Sequence, residues 1–276
     1  MQQLDSKLEE LKKFILQKGQ GGVVIAFSGG VDSTTLAAIT YQLLGDRAVA
    51  VIAQSPTYTR TEMQQAKQVA QEIGIKLYVT LTDELDNPHF NQNPENRCYY
   101  CKKELLTKLK QFAHQHGFGA VFEGTNYSDL SDHRPGFKAV EETEGVYSPW
   151  AAMGFSKEEV RQVAKDIGLT AHDKPASACL ASRIPFNESI TAEKLRRIEE
   201  AENAIRELLG VRQLRVRDHN GLARIEVGAG ERHLFFNVDK LDMVAARLKR
   251  LGFRYVALDL EGYRSGSMLD GLKRDS

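Results

Sequence analysis

The chain has little of several features that would direct it to particular classes of function. It has no excess of charge, because 37 lysine and arginine residues balance 37 aspartate and glutamate residues. A broad, non-specific nucleic-acid surface needs a surplus of positive charge, so this balance argues against one. No apolar run approaches the roughly 20 residues that a membrane-spanning helix needs, and the polar start MQQLDSKLEELKKF predicts an amphipathic helix rather than a signal peptide. These absences predict a cytoplasmic protein.

Cysteine is also scarce, with three residues in the chain. An odd number without an export signal favours a metal-bound or catalytic thiol over structural disulfides. Cys98 and Cys101 are spaced to share one face of a helix, and Cys179 lies far downstream. Four interpretations stay open on these residues alone: incidental buried cysteines, part of a zinc site, a redox CxxC motif, or a [4Fe–4S] cluster on three thiolates with one iron open to sulfide.

The apolar pattern divides the 276 residues into two predicted domains, 1–175 and 176–276. In the first, buried strands alternate with helices, which predicts an α/β fold with a doubly wound parallel sheet. The first predicted strand ends at Phe27, and the next three cover 48–54, 76–82 and 119–124. The predicted helices cover 33–44, 61–73 and 99–116, and a capping box at Ser156 opens a further helix. The second domain reads as smaller and α+β, with helices at 191–209 and 238–251 and strands at 212–218, 222–228 and 254–260.

The strongest local pattern is Ser28-Gly29-Gly30-Val31-Asp32-Ser33, which stands between a predicted strand and a predicted helix. Glycines let backbone amides approach an anion, a helix N-terminus adds partial positive charge, and the serines add hydroxyl donors. The pattern is therefore typical of a pyrophosphate-binding loop, although a helix-capping turn uses similar residues. No lysine follows the glycines as in a Walker A motif, which argues against γ-phosphoryl transfer. Asp32 is either a Mg²⁺ ligand or an acid that complements the helix dipole.

In this position SGGVDS resembles the loop of the PP-loop ATP pyrophosphatases, which hold the pyrophosphate that leaves when AMP is attached to a substrate. Five further segments follow one another along nearly the whole chain: RCYYCKKELL, EGTNYSDLSDHRPGFKA, KPASACLASRIPF, LRVRDHNGLARIEV and ALDLEGYRSGSM. In this order they resemble one family within that group, the LarE family of ATP-dependent sulfur transferases.

The resemblance implies a substrate, a reaction and a sulfur source. ATP with Mg²⁺ would adenylate the carboxylates of pyridinium-3,5-biscarboxylic acid mononucleotide, which become thiocarboxylates on the way to the nickel-pincer nucleotide cofactor of lactate racemase and related enzymes. One form of the family gives up the sulfur of a single cysteine, and the other carries sulfide on a [4Fe–4S] cluster. The three-cysteine pattern resembles the second form, which makes Cys98, Cys101 and Cys179 cluster ligands and leaves Cys179 as a sacrificial donor in second place. The resemblance also implies sulfide or another sulfur donor as partner, and a homo-oligomer, a hexamer, to which the C-terminal domain contributes.

Individual residues take roles from the same resemblance. Arg215 and Arg217 alternate on a predicted strand and would bind the substrate phosphate, whereas without the resemblance they read as a solvated, charge-paired face. Glu202 stands where the family has a functional acid, on a helix charged enough for it to be a surface residue instead. Ser182 and Arg183 would orient the acyl-adenylate, or else cap the next segment.

A further group of candidates follows the fourth predicted strand. Gly124, Thr125 and Asn126 come at its carboxyl end, where ligands collect in open α/β sheets, and are expected to contact ATP together with the SGGVDS loop. The same loop continues through Asp129, Arg134 and Lys138, of which one or two are expected to touch ATP. Five histidines, His89, His133, His172, His219 and His233, form no HxxH or HxH spacing and are assigned to no metal.

Two other functions remain compatible with the sequence. A PP-loop tRNA thiolase also combines an ATP site with a CxxC pair and a distant cysteine. Against it stand the neutral charge, the absence of further zinc-type CxxC pairs, and a C-terminal sequence without an obvious aromatic-and-basic RNA surface. A non-catalytic nucleotide-binding or cluster-sensing protein would bind ATP without turnover.

Overall fold

A computed structural model describes residues 2–130, 135–174, 178–264 and 266–269. The chain forms two compact units, one of Met1–Asn87 with Asn96–Ser177 and one of Pro88–Glu95 with Ala178–Ser276. None of the helices formed by the described residues is long and apolar enough to cross a membrane.

The described residues form eight strands and ten α-helices. The strands are β1 Val23–Ala26, β2 Ala48–Gln54, β3 Lys76–Leu81, β4 Ala120–Phe122, β5 Val146–Tyr147, β6 Leu214–His219, β7 Leu222–Val227 and β8 Tyr255–Leu258. The helices are α1 Gln2–Lys18, α2 Val31–Leu44, α3 Arg60–Ile73, α4 Pro88–Asn91, α5 Arg97–His116, α6 Pro135–Glu141, α7 Pro149–Ala152, α8 Lys157–Asp166, α9 Ala192–Leu209 and α10 Val238–Arg250.

The first unit is built on a five-stranded parallel sheet in the order β3-β2-β1-β4-β5. Successive side chains of β1 enter two different cores because both faces of the sheet are covered by helices. Val24 packs in a cluster with Leu106 of α5, whereas Ile25 packs in a cluster with Leu11 of α1 and Leu36 of α2. The predicted doubly wound parallel sheet is confirmed.

The order of the strands places the glycine-rich loop at a special point of the sheet. β1 has β2 on one side and β4 on the other. The chain adds β2 and β3 toward one edge of the sheet and β4 and β5 toward the other, so the order of the strands reverses between β1 and β4. Ligands of open parallel sheets bind outside the carboxyl ends of the strands at such a switch point. The residues after β1 and after β4 therefore meet where a ligand is expected.

Helix boundaries in this unit differ from the predicted ones by one or two residues. α2 begins at Val31 rather than 33, with Gly30 in an extended conformation (φ −79°, ψ 162°) at its N-cap. The predicted capping box of α8 is present, because the Ser156 hydroxyl accepts a hydrogen bond from Glu159 N at 3.2 Å and the Glu159 carboxylate accepts one from Ser156 N at 2.8 Å.

The second unit contains a three-stranded sheet in which β6 pairs antiparallel with β7 and β7 pairs parallel with β8. The β6–β7 hairpin turns through Asn220 (φ 50°) and Gly221 (φ 94°), the left-handed pair that a two-residue hairpin prefers. Apolar side chains of α9, α10 and the sheet form one core that includes Ile205, Val216 and Leu248. The predicted small α+β domain is confirmed.

Candidate functional site

The loop after β1 has a backbone that only small residues can adopt. Gly29 has φ +68°, and a Cβ at this position would lie 2.8 Å from the Ala66 Cα of α3. Both facts exclude a larger side chain, because left-handed backbone strains L-residues and the neighbour is backbone that cannot turn away. The loop thus leaves the edge of the sheet close to α3 and delivers Gly30 to the start of α2.

The two serines of the motif bond to each other and to the loop. Ser28 N donates to Ser33 Oγ at 3.2 Å, the two hydroxyl oxygens are 3.1 Å apart, and Ser33 Oγ donates to Gly30 O at 3.2 Å. Gly30 N donates to Ser28 Oγ at 3.3 Å. The arrangement gathers hydroxyls and amide groups at the N-terminus of a 14-residue helix, which suits an anion such as pyrophosphate.

Asp32 lies in the first turn of α2 and has partners on both carboxylate oxygens. Asn126 Nδ2 donates to Asp32 Oδ1 at 3.1 Å, and Lys157 at the start of α8 forms an ion pair with Asp32 Oδ2. Trp150 Nε1 donates to the Asp32 carbonyl at 3.1 Å, which holds this turn against α7. The Asp32 carboxylate therefore already stabilises one cation, Lys157, at the helix N-terminus. Its negative charge and its oxygen ligands would also suit Mg²⁺.

Two lysines that sequence reasoning missed reach the loop from later elements. Lys157 pairs with Asp32, and Lys174 Nζ donates to the Gly29 carbonyl at 3.0 Å. Burial lowers the pKa of Lys174, against the attraction of Glu62. The motif lacks a Walker lysine, and these cations stand beside it instead. No local spacing could have revealed them, because 125 and 145 residues separate them from their partners.

The residues after β4 lie against the same loop, as the strand order requires. A Cβ at Gly124 would lie 3.1 Å from Ser33 N and 3.3 Å from Asp32 Cβ, so this glycine permits a close approach of β4 to α2. Asn126 is buried and also donates from Nδ2 to Asp129 Oδ2 at 2.9 Å.

The other loop candidates are less central. Arg134 lies outside the described residues. Lys138 lies on α6 with 73% of its side chain exposed, 3.9 Å from Glu142.

Two of the cysteines lie on α5 and the third lies in the second unit. Cys98 is exposed near the start of α5, and Cys101 one turn later is partly exposed. Cys179, also partly exposed, is the N-cap residue of a short 3₁₀ helix, Leu180–Arg183. Within the described ranges, no group of three or more His, Cys, Asp or Glu side chains is placed to hold a metal ion.

The Cys179 loop is fixed by its neighbours Ser182 and Arg183. The Cys179 carbonyl accepts hydrogen bonds from Ser182 N at 3.0 Å, Ser182 Oγ at 2.8 Å and Arg183 Nη1 at 2.8 Å. Arg183 Nη1 also contacts the Ala178 carbonyl. These contacts set the backbone from which the Cys179 thiol projects.

Glu202 on α9 is the buried acceptor for these groups rather than a surface residue. Its carboxylate accepts from Arg183 Nε at 3.0 Å, Arg206 Nη2 at 3.0 Å and Val216 N at 3.2 Å, and the residue is 1% exposed. Burial disfavours its charge, but the attraction and hydrogen bonding of Arg183 outweigh this and lower the pKa of Glu202. The Glu202 carboxylate is therefore ionised, and its oxygens already accept hydrogen bonds from these three donors.

Arg215 and Arg217 share β6 but differ in their partners. Arg217 is 5% exposed, pairs with the fully buried Glu226 at 2.6 Å and donates to the Ser182 carbonyl at 2.9 Å. Arg215 is half-buried, donates to the Leu214 carbonyl at 2.7 Å and stacks its guanidinium 5.2 Å from the Tyr263 ring centre. Burial and the nearby Arg183 lower the pKa of Arg215. Counting partners among the described residues, Arg215 has more donors left for a ligand anion than Arg217 has.

The sheet, its switch point and the Ser-Gly-Gly-Val-Asp-Ser loop define a PP-loop ATP pyrophosphatase fold. A family model for NAD synthase matches residues 4–108. The chain is 44% identical to an uncharacterized protein of Synechocystis sp., over 96% of this chain and 97% of that protein. It is 38% identical to the pyridinium-3,5-bisthiocarboxylic acid mononucleotide synthase of Lactiplantibacillus plantarum, over 91% and 90%, and 32% identical to an uncharacterized protein of Methanocaldococcus jannaschii, over 94% and 98%. The chain belongs to the LarE family, and it is an adenylating enzyme of the PP-loop class.

Proposed function

We propose that the protein is an ATP-dependent sulfur transferase that converts the carboxylates of pyridinium-3,5-biscarboxylic acid mononucleotide to thiocarboxylates for nickel-pincer nucleotide synthesis. The observation that carries this proposal is the similarity to the Lactiplantibacillus plantarum synthase over 91% of the chain. The loop between β1 and α2 supports the ATP half of the reaction, because it presents amides and hydroxyls at a helix N-terminus.

The proposed reaction has two displacements. A carboxylate is a poor electrophile, so a substrate carboxylate oxygen first attacks the α-phosphorus of ATP and pyrophosphate leaves. A sulfide sulfur then attacks the acyl carbon, and AMP leaves with the original carboxylate oxygen. Each step needs its reacting atoms held together, an effect that contributes about 7–11 kcal/mol in favourable cases.

The ATP end of the site uses the loop and its two lysines. The amides at Gly29 and Gly30 would face the pyrophosphate, and Lys157 and Lys174 would offset its charge as it leaves. Asp32 would hold Mg²⁺ together with the phosphates, since it already stabilises a cation in this structure. Bound Mg²⁺ supplies charge neutralisation at the phosphates.

The substrate end uses the arginines of the second unit. Arg215 would bind the mononucleotide phosphate, because its guanidinium has donors beyond its single backbone acceptor among the described residues. Arg217 would act by holding Ser182, whose carbonyl it contacts, and Arg183 with Glu202 would hold the Cys179 backbone. In this assignment Glu202 is a positioning residue, since its carboxylate is already occupied by donors.

For the sulfur source, the proposal assigns a [4Fe–4S] cluster to Cys98, Cys101 and Cys179. The donor set fits in its chemical type, because thiolates are the ligands of such clusters and all three cysteine residues are at least partly exposed. The i, i+3 pair on α5 supports two of the ligands. When bound, such a cluster supplies an iron that can hold sulfide. The competing source is Cys179 itself as a sacrificial donor.

The ATP half is tested by the products of ATP cleavage. With the mononucleotide substrate and Mg²⁺, we expect AMP and pyrophosphate in equal amounts; ADP and orthophosphate would contradict the assignment. Asp32→Ala should abolish pyrophosphate release while the melting temperature stays close to that of the wild type. Asp46→Ala, at an exposed acid beyond the other end of α2, is the matched control and should retain full activity.

The sulfur source is tested by anaerobic reconstitution followed by iron and acid-labile sulfide analysis. On the cluster proposal, each Cys→Ala change loses the cluster, and added sulfide supports repeated turnover of the wild type. Full activity of Cys98→Ala and Cys101→Ala, with loss of the mass of one H₂S at Cys179, would establish the sacrificial route instead. A homo-oligomer, a hexamer, stays part of the proposal and is checked by light scattering.

A further inference from the structure

Glu123, the residue that follows β4, collects donors from three separate parts of the first unit. The residue is 1% exposed, and its carboxylate accepts from Lys102 Nζ at 2.7 Å, Thr125 N at 3.1 Å and Thr125 Oγ1 at 2.8 Å. Ser148 Oγ supplies a fourth donor. Burial disfavours the charged form, but the ion pair with Lys102 and the hydrogen bonds outweigh it and lower the pKa of Glu123. A buried carboxylate with four donors is a rigid hub rather than a titrating group.

On one side the hub is continuous with the nucleotide loop. Thr125, which gives Glu123 two of its donors, stands between Gly124 and Asn126. Gly124 approaches the start of α2 so closely that a Cβ would lie 3.1 Å from Ser33 N, and Asn126 donates to Asp32 at 3.1 Å. A ligand that orders the start of α2 therefore acts on the backbone of Gly124, the residue directly after Glu123.

On the other side the hub holds the turn that carries two cysteines. Lys102 directly follows Cys101 on α5. Within the part of the chain that the structure describes, the Asn96 side chain caps no amide of this first turn, and the turn contains no acidic residue to complement the helix dipole. A helix start without these local devices depends on tertiary contacts, and the Lys102–Glu123 ion pair is such a contact.

We infer that Lys102 is a positioning residue that couples occupancy of the nucleotide loop to the order of the Cys98–Cys101 turn through its ion pair with Glu123. This rests on the proposed function for the location of ATP. The consequence is that the thiols reach their working position when ATP is bound, so activation of the carboxylate and readiness of the sulfur site coincide.

Hydrogen exchange followed by mass spectrometry tests this without any need for a cluster or for turnover. The wild-type chain is compared with and without Mg²⁺ and α,β-methylene-ATP, which cannot be cleaved between the α and β phosphates. We expect the analogue to slow exchange in peptides covering 28–33 and also in peptides covering 97–103. The second effect should be about fivefold or more, the lower end of typical coupling between sites.

Three variants separate coupling from general support of the fold. Lys102→Met should keep protection of 28–33 and lose that of 97–103, whereas Lys102→Arg, which keeps the charge, should restore most of it. Lys103→Met is the matched control, because it removes the neighbouring cation, whose partner Glu142 is 3.5 Å away on the surface. This control should behave as the wild type.

Three results would overturn the inference. Protection of 28–33 without protection of 97–103 in the wild type would show that the turn does not respond to the nucleotide, and would leave the ATP site intact. Equal loss of coupling in Lys102→Met and Lys103→Met would show an unspecific charge effect. Absence of protection at 28–33 itself would remove both the ATP site and the coupling.

Discussion

Replacing Glu202 by Gln should destabilise the second unit, because it removes one partner of a buried ion pair. Arg183 is 3% exposed and lies 3.0 Å from the Glu202 carboxylate, so its charge would stay buried without a counterion. Breaking such a pair from one side costs about 3–5 kcal/mol, against a total of about 5–15 kcal/mol for a typical domain. The matched control is Arg206→Ala, whose side chain is 36% exposed in an i, i+4 pair with the same carboxylate. Its loss should cost about 1 kcal/mol or less.

The assay is equilibrium unfolding in urea followed by circular dichroism. The fluorescence of Trp150, the one tryptophan of the sequence, reports separately on the first unit. Glu202→Gln should lower the midpoint of the circular dichroism transition by about 1 M or more. An unchanged midpoint for Glu202→Gln, or an equal loss in Arg206→Ala, would refute the buried-pair reasoning.

The same pair sets an acid limit on stability. The folded pKa of Glu202 is below the ordinary value of 4.5, so its contribution is present above pH 4.5 and is lost as the pH falls through the folded pKa. Wild type and Glu202→Gln should therefore converge in stability below that range. A difference in their midpoints that stays constant down to the folded pKa and below it would contradict the assignment.

The remaining predictions concern the two binding ends. Gly29→Ala should abolish ATP binding and cost about 1–3 kcal/mol of stability, because φ is +68° and the new Cβ would meet Ala66. Calorimetric titration with ATP and a thermal melt measure the two effects, and an unchanged ATP affinity would contradict the prediction. Arg215→Met should weaken mononucleotide binding with the melting temperature unchanged. Arg217→Met should instead lower the melting temperature, because it removes one of the two arginines that pair with the buried Glu226 carboxylate; reversed effects would exchange their roles. Lys174→Met should weaken the affinity for pyrophosphate more than the affinity for AMP in competition titrations. Equal loss of both affinities would indicate that Lys174 only supports the loop.

Much of the fold follows from local pattern. Apolar runs at β1 and β2 and the capping box at Ser156 act within a few residues, so reading the sequence finds them. The ends of elements depend on packing as well: the predicted strand 119–124 is reduced to Ala120–Phe122, and α2 starts earlier because Gly30 serves as its N-cap. Nothing in the sequence indicated that Pro88–Glu95 groups with the second unit, since that grouping depends on contacts such as Asn187 N with the Asn93 carbonyl at 2.9 Å.

The sequence by itself determined the parallel α/β sheet, the pyrophosphate-type loop and the family, because periodicity and motif are encoded in neighbouring residues. Only the tertiary structure decided which charged residues have partners and which have donors to spare. Glu202 and Arg217 are buried in ion pairs, while Lys157 and Lys174 arrive at the loop from more than a hundred residues away. The physical reason is that burial and pairing depend on elements brought together by the winding of the sheet, and a linear spacing carries no information about them.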